Sequence, residues 1–180
     1  ARLITELAGD PGRDKPRDWQ AKAFLDGPSL ERGRRRVRMA AAIQYTLPGV
    51  PCLYYGDEIA MPGCGDPFNR AAYDWQGGDR QLRDWYRLLG RLRALCPALR
   101  AADIVPVRFQ AGHAAYVRRA GENALLVAVN RWCDGESLEL PAGWERSVAL
   151  AGPVPANGRL WVPAEEVCLL GMGPWMERWE

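Results

Sequence analysis

The sequence predicts the end of a parallel α/β unit, its last strand and helix, followed by an antiparallel β-sandwich. Three observations carry this. A short apolar run, Val50-Pro51-Cys52-Leu53-Tyr54-Tyr55, directly follows a helical pattern and is bounded by turn residues. Leu82, Trp85, Leu89, Leu92 and Cys96 recur at helical spacing, with arginines opposite. From Asp103 onward the period changes, and short apolar segments alternate with Gly, Asn, Asp or Pro.

Taken in order, residues 1–8 read as the first turns of a helix stopped by Gly9. Gly9 to Pro28 is polar and rich in Gly, Pro and Asp, which predicts a long connection. Ser29 is placed to cap a helix running to about Leu47. Arg32, Arg34, Arg35, Arg36 and Arg38 crowd its first half. They read either as a solvated outer face whose long stems cover apolar surface, or as a phosphate-binding patch. Pro48-Gly49 ends the helix, and the run 50–55 then suits a strand buried on both faces. Gly56 closes it, leaving Asp57 and Glu58 just past its C-terminal end, where function collects in parallel sheets. A Gly- and Pro-rich loop spans Ile59 to Gly78, and Asp79 caps the helix that Pro97 stops. Seven strands follow, at 104–109, 114–118, 124–129, 137–140, 147–150, 159–162 and 167–170. The switch of period sets a domain boundary near Arg100, giving domains 1–100 and 101–180.

Composition excludes several classes. A net charge of +2 is too small to argue for nucleic acid. No apolar run is long enough to span a membrane, so no membrane partner is expected. Five dispersed cysteines without a CxxC pair point to reduced, structural thiols and a reducing compartment, the cytoplasm before others. His113 is the only histidine and has no neighbouring ligand, so neither a metal nor another cofactor is expected. The chain opens on Ala1 inside a helical pattern, which predicts a piece of a longer protein.

Hydrolysis of a glycoside needs two carboxylates facing one another across the bond. Asp57 and Glu58 are adjacent, so on an extended chain their side chains diverge and cannot share one scissile bond. Asp66 and Arg70, with Pro67 and Asn69 between, read either as a structural ion pair in a loop or as a carboxylate and a guanidinium gripping adjacent hydroxyls. No nucleophile elbow, phosphate loop or dinucleotide fingerprint is present.

The stretch Leu47-Pro48-Gly49-Val50-Pro51-Cys52-Leu53-Tyr54-Tyr55-Gly56-Asp57-Glu58-Ile59-Ala60-Met61, continued by Gly65-Asp66-Pro67-Phe68-Asn69-Arg70 and by Trp75, resembles the α-amylase family, glycoside hydrolase family 13. The match is nearest to its neopullulanase and cyclomaltodextrinase branch, and the strand Ala124 to Arg131 is similar too. The resemblance implies the C-terminal part of a (β/α)8 TIM barrel, with strand eight at 50–55, and then a β-sandwich C-terminal domain. It implies a retaining enzyme that cuts α-glucosidic bonds of starch-like oligosaccharides through a covalent glycosyl intermediate. Transfer to sugar acceptors would be a companion activity, and an oligomeric parent is compatible with it. The family's three catalytic carboxylates have no counterpart here and would lie upstream of Ala1, so this chain by itself is expected to be inactive. By position, Asp66 and Arg70 match residues that bind glucose units, which tips their reading toward an α-glucan substrate. Tyr55, Asp57 and Glu58 match the motif that closes the barrel and belong to the cleft rim or its structural support, with Glu58 expected as a hydrogen-bond anchor.

Two alternatives stay open. One is a binding module that holds starch without cutting it, with Trp132, Trp144, Trp161 and Trp175 either stacking on sugars or filling the sandwich core. The other is an amylase-like scaffold without chemistry.

Overall fold

The computed structural model describes residues 2–9, 15–22, 24–101 and 103–179. Ala1, the first residue of the predicted opening helix, lies outside them, as do residues 10–14 and 23 of the predicted connection. By its contacts the chain divides into two compact units, 1–40 with 51–88 and 41–50 with 89–180.

The first unit is helical. Helix α1 (Leu3–Ala8) ends at Gly9, whose left-handed φ of 120° is the conformation such a stop requires. A second, four-residue helix, α2 (Arg17–Gln20), occupies part of the predicted connection. Helix α3 (Gly27–Thr46) starts earlier than predicted. Its cap is Asp26, whose Oδ1 accepts the Ser29 N–H at 2.8 Å, and hydrogen bonds from the Ser29 side chain and then its N–H hold the Asp26 carboxyl below its usual range. Gly27 and Pro28 occupy the first turn, where proline's missing N–H costs nothing. Helix α4 (Arg80–Leu95) is capped as predicted, Asp79 Oδ1 accepting the Leu82 N–H at 2.8 Å.

The arginines of α3 form neither a free patch nor a plainly solvated face. Arg32 and Arg36 donate to the carbonyls of Ala8 and Leu7, at 3.3 and 3.0 Å. These are orphan acceptors at the negative end of α1, so the cations satisfy both a hydrogen-bond deficit and a dipole. Arg34 pairs with Glu31 and Asp79, and the Arg38 guanidinium lies 4.5 Å from the Trp85 ring centroid. Trp85 returns its indole N–H to the Arg38 carbonyl at 3.0 Å. The arginines therefore staple neighbouring helices to α3.

The run 50–55 is not a strand. Residues 51–54 carry no β-pairing, and the described residues contain no parallel pair of strands. A strand buried on both faces needs a hydrogen-bonded neighbour on each side, and this segment has neither. Its side chains are accordingly outside: Val50 is 92% exposed, and Leu53, Tyr54 and Tyr55 are exposed as well.

The second unit carries all seven predicted strands: β1 (Val105–Gln110), β2 (His113–Ala120), β3 (Asn123–Asn130), β4 (Glu136–Glu139), β5 (Val148–Ala151), β6 (Arg159–Val162) and β7 (Glu166–Met172). They form a five-stranded antiparallel sheet in the order β1-β2-β3-β7-β5 and a two-stranded antiparallel sheet of β4 and β6. Alternation decides the core. Ala115, Val117, Leu126, Ala128, Cys168 and Leu170 on one face of the larger sheet share a buried cluster with Leu138, Leu160 and Val162 of the smaller one, and Trp144 fills it. On the opposite face Tyr116 shares a 2.6 Å hydrogen bond with Thr46. Arg118, fully buried, donates to the carbonyls of Thr46, Ala101 and Asp103. Burial pulls its pKa down, yet three carbonyl acceptors satisfy the guanidinium. None of the five cysteines is in a disulfide, and Cys64, Cys96 and Cys168 are buried. No described helix is long and apolar enough to cross a membrane.

Candidate functional site

The predicted site residues all fall in the first unit, on the segment 55–70. Gly56, at φ 87°, turns the chain out of the extended run, and Asp57–Ile59 forms one 3-10 turn rather than an extended pair. Asp57 and Glu58 still diverge, as their adjacency requires. The Asp57 carboxylate is buried at the start of α1, with its Oδ1 at 3.4 Å from the N–H groups of both Arg2 and Leu3. Burial pushes its pKa above the ordinary carboxylate value, and those two N–H groups offset part of the rise.

Glu58 faces the other way. Its Oε1 accepts the Tyr73 hydroxyl at 2.9 Å, and this bond raises the phenol's pKa. Tyr73 packs against the buried pair Ile59 and Met61 and meets Trp75 at a tilt, ring centroids 4.7 Å apart, and Trp75 itself projects into solvent. Asp74, another carboxylate in this stretch, is used locally, its Oδ1 accepting the N–H groups of Gln76 and Gly77. Neither Asp57 nor Glu58 is presented as an open catalytic acid.

Asp66 and Arg70 are brought together. Arg70 Nε lies 2.7 Å from Asp66 Oδ1, and the two side chains are 67% and 62% exposed. The peptide between Asp66 and Pro67 is cis, and the Arg70 N–H closes back on the Pro67 carbonyl at 3.0 Å. The loop is pinned at several points. Thr5 Oγ1 accepts the Gly63 N–H, Gln20 Oε1 accepts the Gly65 N–H, and the Arg17 guanidinium lies against the Phe68 ring. Tyr55 donates its hydroxyl to the Ala71 carbonyl at 3.1 Å and packs its ring on Tyr54, centroids 4.9 Å apart. Thr5, Gln20 and Ala71 were not singled out by sequence reasoning, because a polar residue far along the chain gives no local sign of what it will touch. A separate open groove of about 600 Å³, lined by Trp19, Phe24 and Asp26 among others, contains none of the predicted residues.

The four tryptophans proposed as sugar contacts divide. Trp144 and Trp175 are buried, whereas Trp132 and Trp161 are each 52% exposed.

No family model matches the chain. It is 31% identical over 114 residues to a cyclomaltodextrinase of Bacillus sp., covering 61% of this chain and 20% of that protein. It is 34% identical over 114 residues to a cyclomaltodextrin glucanotransferase of Geobacillus stearothermophilus, covering 60% of this chain and 16% of that protein. The chain thus spans about a fifth or less of the length of these curated relatives. Among solved structures it matches an α-amylase of Anoxybacillus with a TM-score of 0.70 and 26% identity, over 82% of this chain and 35% of that one. It also matches the type III pullulan hydrolase of Thermococcus kodakarensis with a TM-score of 0.66 and 26% identity, over 83% of this chain and 24% of that one. In sequence and in fold, the relatives of this chain are the glycoside hydrolases of the α-amylase family.

Proposed function

We propose that this chain is part of a longer retaining glycoside hydrolase of neopullulanase or cyclomaltodextrinase type, acting on α-glucosidic bonds of starch-like oligosaccharides, and that it supplies one wall of the cleft. On this reading residues 1–100 form the end of a (β/α)8 barrel and 101–180 a β-sandwich domain. The run 50–55 finds in the rest of the barrel the strand neighbours it lacks here. Its exposed apolar side chains support this, since six consecutive residues of that composition gain stability only when covered.

One observation carries the functional assignment. Asp66 and Arg70 are paired, pinned and largely exposed, on a loop tied to the Tyr54–Tyr55 shelf. A carboxylate accepts and a guanidinium donates, so together they grip adjacent hydroxyls of one glucose ring, and the tyrosine faces suit its C–H surface. The reacting carboxylates belong to other polypeptide. Asp57 and Glu58 act as supports, one under the start of α1 and one under Tyr73.

The test has two parts. The purified chain binds maltoheptaose in calorimetry, and Arg70→Ala and Asp66→Asn each weaken that binding about tenfold, the loss of a charge-assisted hydrogen bond. The same chain releases no reducing ends from maltoheptaose. Clear turnover by the chain alone, or binding indifferent to both substitutions, overturns the assignment.

A further inference from the structure

We propose that the second unit carries its own α-glucan-binding surface, built on Trp132 and Trp161 at the loop end of its two sheets. The ligand class rests on the reading above; the surface itself does not.

Four tryptophans in this unit were open to either a core or a surface role, and burial separates them sharply. Trp144 and Trp175 are at 1% and 3% exposure, whereas Trp132 and Trp161 are both at 52%. The exposed pair is nevertheless held in place. Trp132 donates its indole N–H to the Ala111 carbonyl at 2.8 Å, so its one polar atom is already satisfied inside the protein. Its pyrrole edge lies directly on Gly112, where a Cβ would come within 2.2 Å of Nε1. Trp161 lies on Gly135 in the same way, a Cβ there coming within 2.1 Å of the six-membered ring. Each indole thus has one side seated on bare backbone, which only glycine permits, and the remainder of the ring in solvent.

The loop beneath is built to be rigid. Asn130, at 1% exposure, donates its amide to the carbonyls of Asp134, Val162 and Pro163 and accepts the Trp132 N–H at 2.9 Å. Glu165 donates its N–H to the Trp132 carbonyl at 3.0 Å. Trp132 and Gly135 are three residues apart, so their Cα atoms are at most about 11 Å from one another. Trp132 thus leaves this short loop and the Trp161 ring of β6 rests on it, within the span of a single oligosaccharide, and both indoles are already ordered when a ligand arrives.

The surroundings select sugar over an apolar protein partner. In the β4–β6 ladder Leu138 faces Leu160 toward the core, so Ser137, Trp161, Glu139 and Arg159 share the outer face. Arg159 Nε bonds Ser137 Oγ at 2.8 Å beside Trp161. An indole flanked at the outward ladder positions by a guanidinium, a carboxylate and a hydroxyl matches a pyranose. The ring's C–H side stacks and its hydroxyls meet donors and acceptors.

The 180-residue chain is titrated with maltoheptaose and, separately, with cellohexaose, reading tryptophan fluorescence and calorimetric affinity in an Arg70→Ala background, where the first site is weakened about tenfold. Maltoheptaose still binds there. Trp132→Ala and Trp161→Ala each weaken it about three- to tenfold, in line with the strength of one aromatic stacking contact, and Trp161→Phe retains most of it. Unchanged thermal midpoints separate lost stacking from lost folding. Four results overturn the proposal. Binding that survives both alanine substitutions removes the tryptophans from it. Absence of binding once Arg70 is gone assigns all sugar to the first loop. A Trp161→Ala chain that elutes as a smaller species with its sugar affinity intact makes the face a contact between copies. Preference for cellohexaose, with the tryptophan dependence intact, overturns the α-glucan assignment of this surface and leaves that of the first loop standing.

Discussion

Asp57 shows how little a carboxylate's position in a motif says about its task. It sits just past the apolar run where a catalytic acid would be sought, yet it is buried against the first N–H groups of α1. Its folded pKa lies above the ordinary 3.8, chiefly through desolvation. The folded state therefore holds the Asp57 proton more tightly than the unfolded state does. Between the two pKa values the unfolded chain binds fewer protons, so the contribution of this group to stability falls as pH rises through that window. Asn keeps a carbonyl oxygen for the same N–H groups and has no charge to desolvate. Asp57→Asn should thus match the parent near and below pH 3.8 and become the more stable of the two above it. Urea midpoints measured from pH 3 to pH 7 check this. A difference that is constant with pH would show that ionisation of Asp57 carries no penalty.

Among the elements, what was legible depended on how local the determinants are. The seven strands and α4 could be read because alternation, helical spacing and caps such as Asp79 act within a few residues. The start of α3 was displaced because both Asp26 and Ser29 can cap, and the chain uses the earlier one. The run 50–55 was misread as a strand of this chain, since an apolar run specifies pairing only where partners are present. The Asp66–Arg70 contact was legible from its spacing, but the support that Thr5, Gln20 and Tyr55 give that loop was not. Helix packing likewise left a trace only in glycine. A Cβ at Gly33 would meet Ile4 Cγ1 at 2.7 Å and the Ile4 carbonyl at 2.9 Å, so α1 and α3 approach at a contact that only glycine allows. At Gly90 on α4 a Cβ meets nothing within 4 Å. One substitution therefore has opposite signs at the two positions. Gly33→Ala is expected to cost about 1–3 kcal/mol through overpacking, and Gly90→Ala to add about 0.5–1 kcal/mol by removing glycine's entropy from a helix. Thermal melts of the two variants decide it, and a Gly33→Ala variant as stable as the parent or more so would refute the α1–α3 contact.

At the scale of the whole chain, the two units differ in how completely each closes its own core. In the second, β3 and β7 run side by side with Ala124 to Ala128 and Val167 to Leu170 buried almost completely, and a further layer covers each face. The first unit leaves Phe24, Leu53, Tyr54 and Trp75 in solvent, and its extended run has no ladder. Burial of apolar surface is the main favourable term in folding, so the second unit should hold most of the stability measured on this chain. Hydrogen exchange followed by mass spectrometry reads this directly. The amides of β3 and β7 are expected to exchange only on global opening, and those of Leu53 to Tyr55 within the first time points. Exposed apolar side chains beside an unpaired extended segment also favour association, so light scattering of the chain should rise with concentration. If protection proves equal in the two units, the exposed run must be covered in solution. The neighbour that covers it would then come from this chain or from a second copy of it, which removes the main physical support for a barrel completed by further polypeptide.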